Sequence, residues 1–350
     1  MGEAIIARRG GTLKITGQTE EIVRFGEAIN KYDPVCVKFV GTKLPDPSTL
    51  PTGYEWEVAF DPTGTYLAVA HSGSPYITIY KRNGDTFTKL SNPSTLPTGD
   101  GYGVAFDPTG TYLAVAHSGS PYITIYKRSG DTFTKLPDPS TLPAVEGHGI
   151  AFDPTGTYLA VAHFGSPYIT IYKRNGDTFT KLSNPSTLPT DAGWEVAFDP
   201  TGTYLAVAHS GSPYITIYKR NGDTFTKLSN PSTLPTGDGY GVAFDPTGTY
   251  LAVAHSGSPY ITIYKRSGDT FTKLPDPSTL PAVEGHGIAF DPTGTYLAVA
   301  HFGSPCITIY LATVCFKTNL MSDVSMAEKA GYAKESGVAG ERKKIVVIFR

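Results

Sequence analysis

The chain has 350 residues, nearly balanced charge and three cysteines, and these properties exclude several classes of protein. Its 29 Lys and Arg against 31 Asp and Glu give a net charge of −2, so we expect no general attraction to nucleic acid or to an anionic membrane. No apolar stretch is long enough to span a bilayer or to act as a secretory signal, which predicts a protein made and kept in a cytoplasm.

The two ends of the chain have a different sequence pattern from the middle. Residues 1–39 and 320–350 contain short alternating segments separated by glycines, which is typical of small strands and turns. We expect both ends to leave the middle of the chain on the same side and to form one small β module. The cysteines, Cys36, Cys306 and Cys315, lack paired metal-ligand spacing and are expected to be buried reduced thiols.

Between these ends, one sequence motif of about 23 residues occurs six times, with a constant spacing of 46 residues between copies. Its copies begin at Val58, Val104, Ile150, Val196, Val242 and Ile288. A four-stranded unit of this length cannot bury both faces of its sheet alone, and six copies suffice to close a ring. The sequence therefore predicts an all-β, six-bladed β-propeller over residues 40–319.

Each repeat contains four predicted strands, which we call a, b, c and d. In the first repeat, strand a covers Val58 to Phe60 and strand b covers Tyr66 to His71, with an Asp-Pro-Thr-Gly turn between them. Strand c covers Tyr76 to Tyr80, and strand d, after an Asn-Gly turn, covers Thr86 to Leu90.

The sixth repeat lacks a recognisable strand d, because the chain after Tyr310 continues as LATVCFKTNL. A substitute occurs upstream of the first repeat, where Val40 to Leu44 is followed by the same PDPSTLP segment that follows other d strands. We predict that Val40 to Leu44 supplies the outer strand of the last blade, since this clasp would remove an open sheet edge.

Positions that vary between repeats are the candidates for a site. Just before strand a, one aligned position reads Trp, Tyr, His, Trp, Tyr, His, so the ring is a three-blade unit that occurs twice. The candidate ligand-binding residues are Trp56, Tyr102, His148, Trp194, Tyr240 and His286, with Glu57, Glu195, Phe164 and Phe302 beside them. We expect all of them on the outward loop face, where aromatic rings and carboxylates suit a sugar, unless the rings only plug the mouth of the channel.

The repeated polar residues are interpreted as structural. A histidine ends each strand b, as His71 does in the first repeat, and six such residues on separate blades are too far apart to bind one metal ion. The Lys81-Arg82 pair and its copies predict either a solvated rim or a docking surface for an acidic partner. No catalytic grouping, metal site or cofactor is predicted, because every reactive side chain recurs around the ring.

The repeat resembles WD-repeat and YVTN-type propellers, with VAFDPTG standing where those families have strand a and its turn. The Gly-His and Trp-Asp pairs of WD repeats are absent, so the hydrogen-bond network of that family is not implied. Some propellers of similar repeat are lactonases.

The chain ends resemble the capsid-cement (decoration) proteins of tailed phages. Tyr32 replaces a glycine of that family. The matching residues are Ala28-Ile29, Asp33, Val35, Val37, Gly331, Ala333, Ala339-Gly340-Glu341 and Val346 to Ile348.

Together, the repeats and the ends predict a non-catalytic protein of a phage virion, assembled in the host cytoplasm. Its terminal module would bind capsid or tail proteins, and its propeller face would bind a ligand such as a host-surface glycan; a homo-oligomer is left open. The alternatives are a cytoplasmic protein-interaction scaffold and a lactonase-like hydrolase.

Overall fold

The computed structural model describes residues 44–311 and the backbone of four short strands nearer the chain ends. Residues 44–311 form six consecutive antiparallel sheets with no helix, which confirms the predicted six-bladed, all-β propeller. No helix among the described residues is long and apolar enough to cross a membrane.

Five of the six blades have four strands in the order a-b-c-d from inside to outside. Blade one consists of β4 (Glu55–Phe60), β5 (Tyr66–His71), β6 (Ile77–Asn83) and β7 (Thr86–Lys89). Blades two and three consist of β8 (Gly101–Phe106), β9 (Tyr112–His117), β10 (Ile123–Ser129), β11 (Thr132–Lys135), β12 (Gly147–Phe152), β13 (Tyr158–His163), β14 (Ile169–Asn175) and β15 (Thr178–Lys181).

The second half of the ring repeats the first, except that blade six has three described strands. Blades four to six consist of β16 (Gly193–Phe198), β17 (Tyr204–His209), β18 (Ile215–Asn221), β19 (Thr224–Lys227), β20 (Gly239–Phe244), β21 (Tyr250–His255), β22 (Ile261–Ser267), β23 (Thr270–Lys273), β24 (Gly285–Phe290), β25 (Tyr296–His301) and β26 (Ile307–Leu311).

Apolar side chains fill the space between successive blades. Between blades one and two, Ala70 and Ile77 pack against Val104 and Leu113, and the other four successive pairs of blades have equivalent clusters. Within each blade the histidine that ends strand b is buried, and its Nε2 lies 2.9–3.0 Å from a threonine Oγ1 on strand c, as His71 does with Thr78.

A polar network also joins neighbouring blades near the start of strand b. Tyr66 of blade one donates a hydrogen bond to Asp131 of blade two (2.5 Å), and Lys81 forms an ion pair with the same carboxylate (2.9 Å). Arg128 lies 4.6 Å from the centre of the Tyr66 ring, within cation–π range. The ion pair recurs as Lys127–Asp177, Lys173–Asp223 and Lys219–Asp269. The predicted Lys-Arg rim is thus engaged between blades at these positions.

Blades six and one do not share such an interface among the described residues. Val58 on β4 is 59% exposed, whereas its counterpart Val104 in blade two is 2% exposed. On the other side, Ile309 of β26 is 53% exposed, whereas its counterpart Ile171 in blade three is 4% exposed. We call the space between β4 of blade one and β25 and β26 of blade six the opening.

Four further strands are described by their backbone. They are β1 (Ala4–Ile5), β2 (Thr12–Lys14), β3 (Ile22–Arg24) and β27 (Val346–Val347). Strand β1 pairs with β27 in antiparallel register, and β2 pairs with β3. The rest of the predicted terminal module, including the residues that resemble capsid-cement proteins, lies outside the described residues.

Two expectations concern the ends of the propeller. Residues 40–43 of the predicted clasp lie outside the described residues, so the clasp stays a prediction; Leu44, its last residue, is exposed. The expectation of buried cysteines is wrong for Cys306, which is exposed because it lies beside the opening, where no further blade covers it. Cys36 and Cys315 lie outside the described residues.

Candidate functional site

The six aromatic residues predicted from the variable position lie next to one another around the axis of the propeller. Tyr102 stacks on His148 with ring centres 4.5 Å apart, and Tyr240 stacks on His286 at 4.6 Å. Trp194 contacts His148 and Tyr240 edge-on at 5.4 and 5.1 Å. These rings therefore form a continuous aromatic arc, with Trp56 at its start beside the opening.

The two predicted phenylalanines join this arc in different ways. Phe164 stacks on His148 at 3.9 Å, whereas Phe302 is tilted against His286 at 4.4 Å and is exposed. Phe302 and Trp56 belong to the blades that border the opening, and this explains why their exposure exceeds that of Phe164 and Trp194.

A break in the strand register brings the two glutamates into the centre of the ring. The pairing of β4 with β5 shifts between Glu55 and Glu57, and that of β16 with β17 shifts between Gly193 and Glu195. Such a bulge interrupts the alternation of side chains, so a residue and its neighbour can face the same side. Trp56 and Glu57 accordingly line the same central cavity.

The location expected for these glutamates on the outward loop face is corrected by this geometry. Glu57 and Glu195 are partly buried and line the central cavity together with the aromatic arc. Glu57 accepts a hydrogen bond from the backbone N–H of Val104 (2.7 Å), and Glu195 accepts one from the N–H of Val196 (2.8 Å). They occur where the other four blades have glycine, at Gly103, Gly149, Gly241 and Gly287.

Burial changes the acidity of both glutamates. It raises the pKa of Glu195 to about 7, against the bond from Val196, which favours the ionised form. The pKa of Glu57 is raised well above its ordinary value, mainly by burial and secondly by the negative charge of Glu195. Because the charge of Glu195 acts on Glu57, the two carboxyl groups titrate as a coupled pair.

The glycine at position 149 makes room for Glu195. A Cβ atom at Gly149 would lie 2.6 Å from the Glu195 Oε1 atom and 2.5 Å from its Cα. At Gly287, the equivalent residue of the second three-blade unit, a Cβ would meet nothing closer than Ala300, at 3.6 Å. The two glycines occupy equivalent sequence positions, but only Gly287 has room for a Cβ atom.

We therefore expect Gly149→Ala to destabilise the propeller by about 1–3 kcal/mol, because the new methyl group overlaps the backbone and carboxylate of Glu195. The matched Gly287→Ala variant should stay within about 0.5 kcal/mol of the parent. Urea unfolding followed by tryptophan fluorescence measures both values. Equal effects of the two substitutions would show that the backbone of Trp194 and Glu195 in the next blade does not lie against Gly149.

Two histidines add hydrogen-bonding groups to the cavity. The Nε2 atoms of His148 and His286 are buried and have no hydrogen-bond partner among the described residues. His286 Nε2 lies 3.6 Å from Glu284, too far for a hydrogen bond. Burial, followed by the effect of His163, lowers the pKa of His148 to about 4, so its ring is neutral at physiological pH. A neutral imidazole can donate to or accept from a ligand.

The cavity encloses about 760 Å³. Its described lining consists of the aromatic arc, the glutamate pair and small or apolar residues of the inner strands, and it contains no Lys or Arg. It also reaches Ala298, Ala300 and Ile307 of blade six, so it continues into the opening. The described residues contain no group of three or more His, Cys, Asp or Glu that could hold a metal ion.

A family of lactonases with a seven-bladed β-propeller matches the chain in three overlapping stretches, residues 57–238, 104–275 and 147–314. The stretches begin in successive repeats and together span most of the chain. The chain belongs to this lactonase family.

Solved structures give the same fold at low sequence identity. A putative 6-phosphogluconolactonase from Bacteroides fragilis superposes with a TM-score of 0.59 at 14% identity, covering 89% of this chain and 90% of the other. Hydrazine synthase from Kuenenia stuttgartiensis has a TM-score of 0.59 at 18% identity, covering 79% and 80%. The search of curated proteins found no match.

Membership in the lactonase family overturns one expectation. The sequence predicted a non-catalytic protein because every reactive side chain recurs around the ring, and this prediction is wrong. Recurrence of a side chain around the ring is therefore not an argument against catalysis in a lactonase-family propeller. Positions 57 and 195 carry glutamate where the other four blades carry glycine. This difference is the sequence signal that could have pointed to a catalytic protein.

Proposed function

We propose that the propeller hydrolyses a lactone in its central cavity, with Glu57 and Glu195 as the acid–base pair. The observation that carries this proposal is the pair of partly buried glutamates with raised pKa values in a cavity of a lactonase-family propeller. Acid–base catalysis at neutral pH requires groups whose pKa values lie near the working pH.

The roles follow from the effect of one charge on the other group: the negative charge of Glu195 raises the pKa of Glu57 and so favours the protonated form of Glu57. Glu195, with the value near 7, is the base, and Glu57, whose pKa is raised well above its ordinary value and further by the charge of Glu195, is the acid. Glu195 takes a proton from water as the water oxygen bonds to the lactone carbonyl carbon. Glu57 gives its proton to the ring oxygen as the carbon–oxygen bond of the ring breaks. The product is a hydroxy acid.

Two further groups of the cavity fit this reaction. His148 and His286 line the cavity, and their unpartnered Nε2 atoms are buried, so a turn of either ring toward the substrate is needed to donate a hydrogen bond to the carbonyl oxygen, where negative charge develops during attack. The aromatic arc provides flat apolar surface for the ring of the substrate. Neither role needs a metal ligand or a cofactor from this chain.

The test is to titrate the acid released from neutral γ- and δ-lactones by the purified full-length chain at constant pH. We expect acid release well above the rate in buffer, and loss of that release in the Glu195→Gln variant. The variant is the necessary control, because lactones hydrolyse slowly by themselves. Parent and variant rates that both equal the buffer rate for every lactone would contradict the proposal.

The predicted role at a virion surface, with capsid or tail partners and a host glycan as ligand, stays a prediction. So do the more specific resemblances to WD-repeat and capsid-cement families. A sugar lactone would engage both the aromatic arc and the glutamate pair, so the expectation of sugar binding is compatible with hydrolysis.

A further inference from the structure

The opening between blades six and one has apolar walls that are exposed. Val58 and Phe60 of β4 form one wall, and Ile307 and Ile309 of β26 lie on the other. Their counterparts in the interior blades are covered by the next blade, as Ile123 and Ile125 are. Exposed apolar surface of this kind, continuous with a cavity, is typical of a binding groove.

The two walls are not built to close on each other in the way that interior blades do. Blades two to six each begin strand a with a glycine, and at Gly101 a Cβ would lie 2.4 Å from the carbonyl oxygen of Tyr76 in the preceding blade. Blade one has Glu55 at this position. If blade six packed against blade one as blade one packs against blade two, the Glu55 side chain would clash with the carbonyl oxygen of Cys306, the counterpart of Tyr76.

The polar network between blades is also incomplete at the opening. Blade six has Leu311 where blades one to four have the lysine that pairs with an aspartate of the next blade. The equivalent aspartate of blade one is Asp85, which therefore lacks this lysine partner. Steric and ionic complementarity therefore both fail between the described residues of blades six and one.

The charge of the cavity limits what can bind next to the opening. Glu57 and Glu195 are the carboxyl groups of its described lining, which contains no Lys or Arg. A phosphate or carboxylate on the substrate would find no positive partner there and would be repelled by an ionised glutamate. The cavity therefore favours a neutral substrate.

We propose that the substrate is a neutral lactone with an apolar chain, and that this chain lies in the opening while the lactone ring lies beside Glu57 and Glu195. This inference rests on the proposed lactone hydrolysis. The cavity supports it by reaching Ala298, Ala300 and Ile307, so a chain attached to a ring in the centre has a direct path between the two walls.

The first experiment compares kcat/KM for γ-butyrolactone, which has no side chain, with that for γ-decanolactone, which carries six additional carbons. Each buried methylene contributes about fourfold, so burial of half of the six-carbon chain should raise kcat/KM about 60-fold. 6-Phosphogluconolactone serves as the anionic comparison and should be hydrolysed more slowly than γ-decanolactone. Equal values for the two neutral lactones, or a preference for the phosphorylated one, would overturn the inference.

The second experiment fills the opening. Ile307→Trp should reduce the ratio of kcat/KM for γ-decanolactone to that for γ-butyrolactone at least tenfold, because the indole occupies the space of the chain. Leu50→Trp is the matched control, since Leu50 is also exposed but does not line the cavity, and it should leave the ratio as in the parent. Thermal unfolding of both variants shows whether they fold. An unchanged ratio in folded Ile307→Trp would overturn the inference.

The inference can fail separately from the proposed hydrolysis. Hydrolysis of both neutral lactones without dependence on chain length contradicts only the role of the opening. If neither is hydrolysed, the proposed function fails, and calorimetric titration of γ-decanolactone into the parent and Ile307→Trp chains then tests the opening alone. Finally, a dimer in sedimentation that becomes monomeric on Ile309→Asp would show that a second copy covers the opening, and would overturn the inference.

Discussion

Glu195→Gln is expected to lower kcat for lactone hydrolysis by about 10²–10⁴-fold, the range typical of losing one acid–base group. Glutamine keeps the size of the side chain and can still accept the hydrogen bond from Val196, but it cannot take a proton from water. Glu57→Gln should cause a loss of the same order, because the leaving oxygen then has no proton donor. Rates with saturating lactone, measured by titration of released acid, give both values.

The pH profile checks the assigned roles. Activity should rise with pH through about 7 as Glu195 ionises, and fall at higher pH as Glu57 loses its proton. The Glu57→Gln variant should lose the fall at high pH but keep the rise. A profile that is flat between pH 5 and 9 in the parent would contradict the assignment of a glutamate as the base.

The same titration provides a test of folding. The pKa of Glu195 is higher in the folded chain than in an unfolded one, so its contribution to stability is fully present below about pH 4.5 and is lost as pH rises through about 7. Glu195→Gln should therefore gain stability relative to the parent at pH 8, by on the order of 2–3 kcal/mol, and differ little at pH 4. A less stable variant at pH 8 would indicate that its loss of activity reflects structural damage.

Ile171→Ala is expected to destabilise the propeller by about 2–5 kcal/mol, because it removes a buried side chain from the interface between blades three and four. Ile309→Ala, at the same position of the second three-blade unit, should cost less than about 1 kcal/mol, because Ile309 is exposed at the opening. Urea unfolding of the two variants under identical conditions provides the comparison.

This pair of variants tests the opening without any ligand. The two isoleucines lie between the same Thr and Tyr residues and at the same strand position, but blade six also has no described strand d beside β26. Equal costs for Ile171→Ala and Ile309→Ala would mean that the opening is covered in solution, and the walls would no longer be free for a substrate.

Much of the fold could be predicted from the sequence, because each repeat carries its own turns and strand pattern. Strand b of blade one was predicted to cover Tyr66 to His71, as observed, and strand d ends one residue earlier than predicted, at Lys89. Strand a begins at Glu55, earlier than predicted, because the bulge lets the chain pair before the apolar run starts. Such local irregularity is not visible in an alternating pattern.

The candidate site was predicted in composition but not in arrangement. The variable position identified the aromatic arc, since residues that differ between otherwise identical blades stand out. The acidity of Glu57 and Glu195 could not be predicted, because it arises from burial by several blades and from the charge of one glutamate acting on the other. The opening was also missed, although Glu55 in place of a glycine indicates it once the interior packing of Gly101 is known.

The repetition of the three-blade unit has a consequence for how the carboxyl pair arose. Glu57 and Glu195 occupy the same position in the two copies, so a single glutamate in an ancestral half is enough to generate both. In two separate halves associated around an axis, each glutamate would meet its own copy across the symmetry axis, as in a homodimer with a shared site. Joining the halves in one chain then allowed the two acids to acquire different surroundings, with Glu57 bonded to the next blade and Glu195 to its own strand. In the proposed reaction, duplication of one ancestral residue followed by this divergence supplies both the proton donor and the proton acceptor.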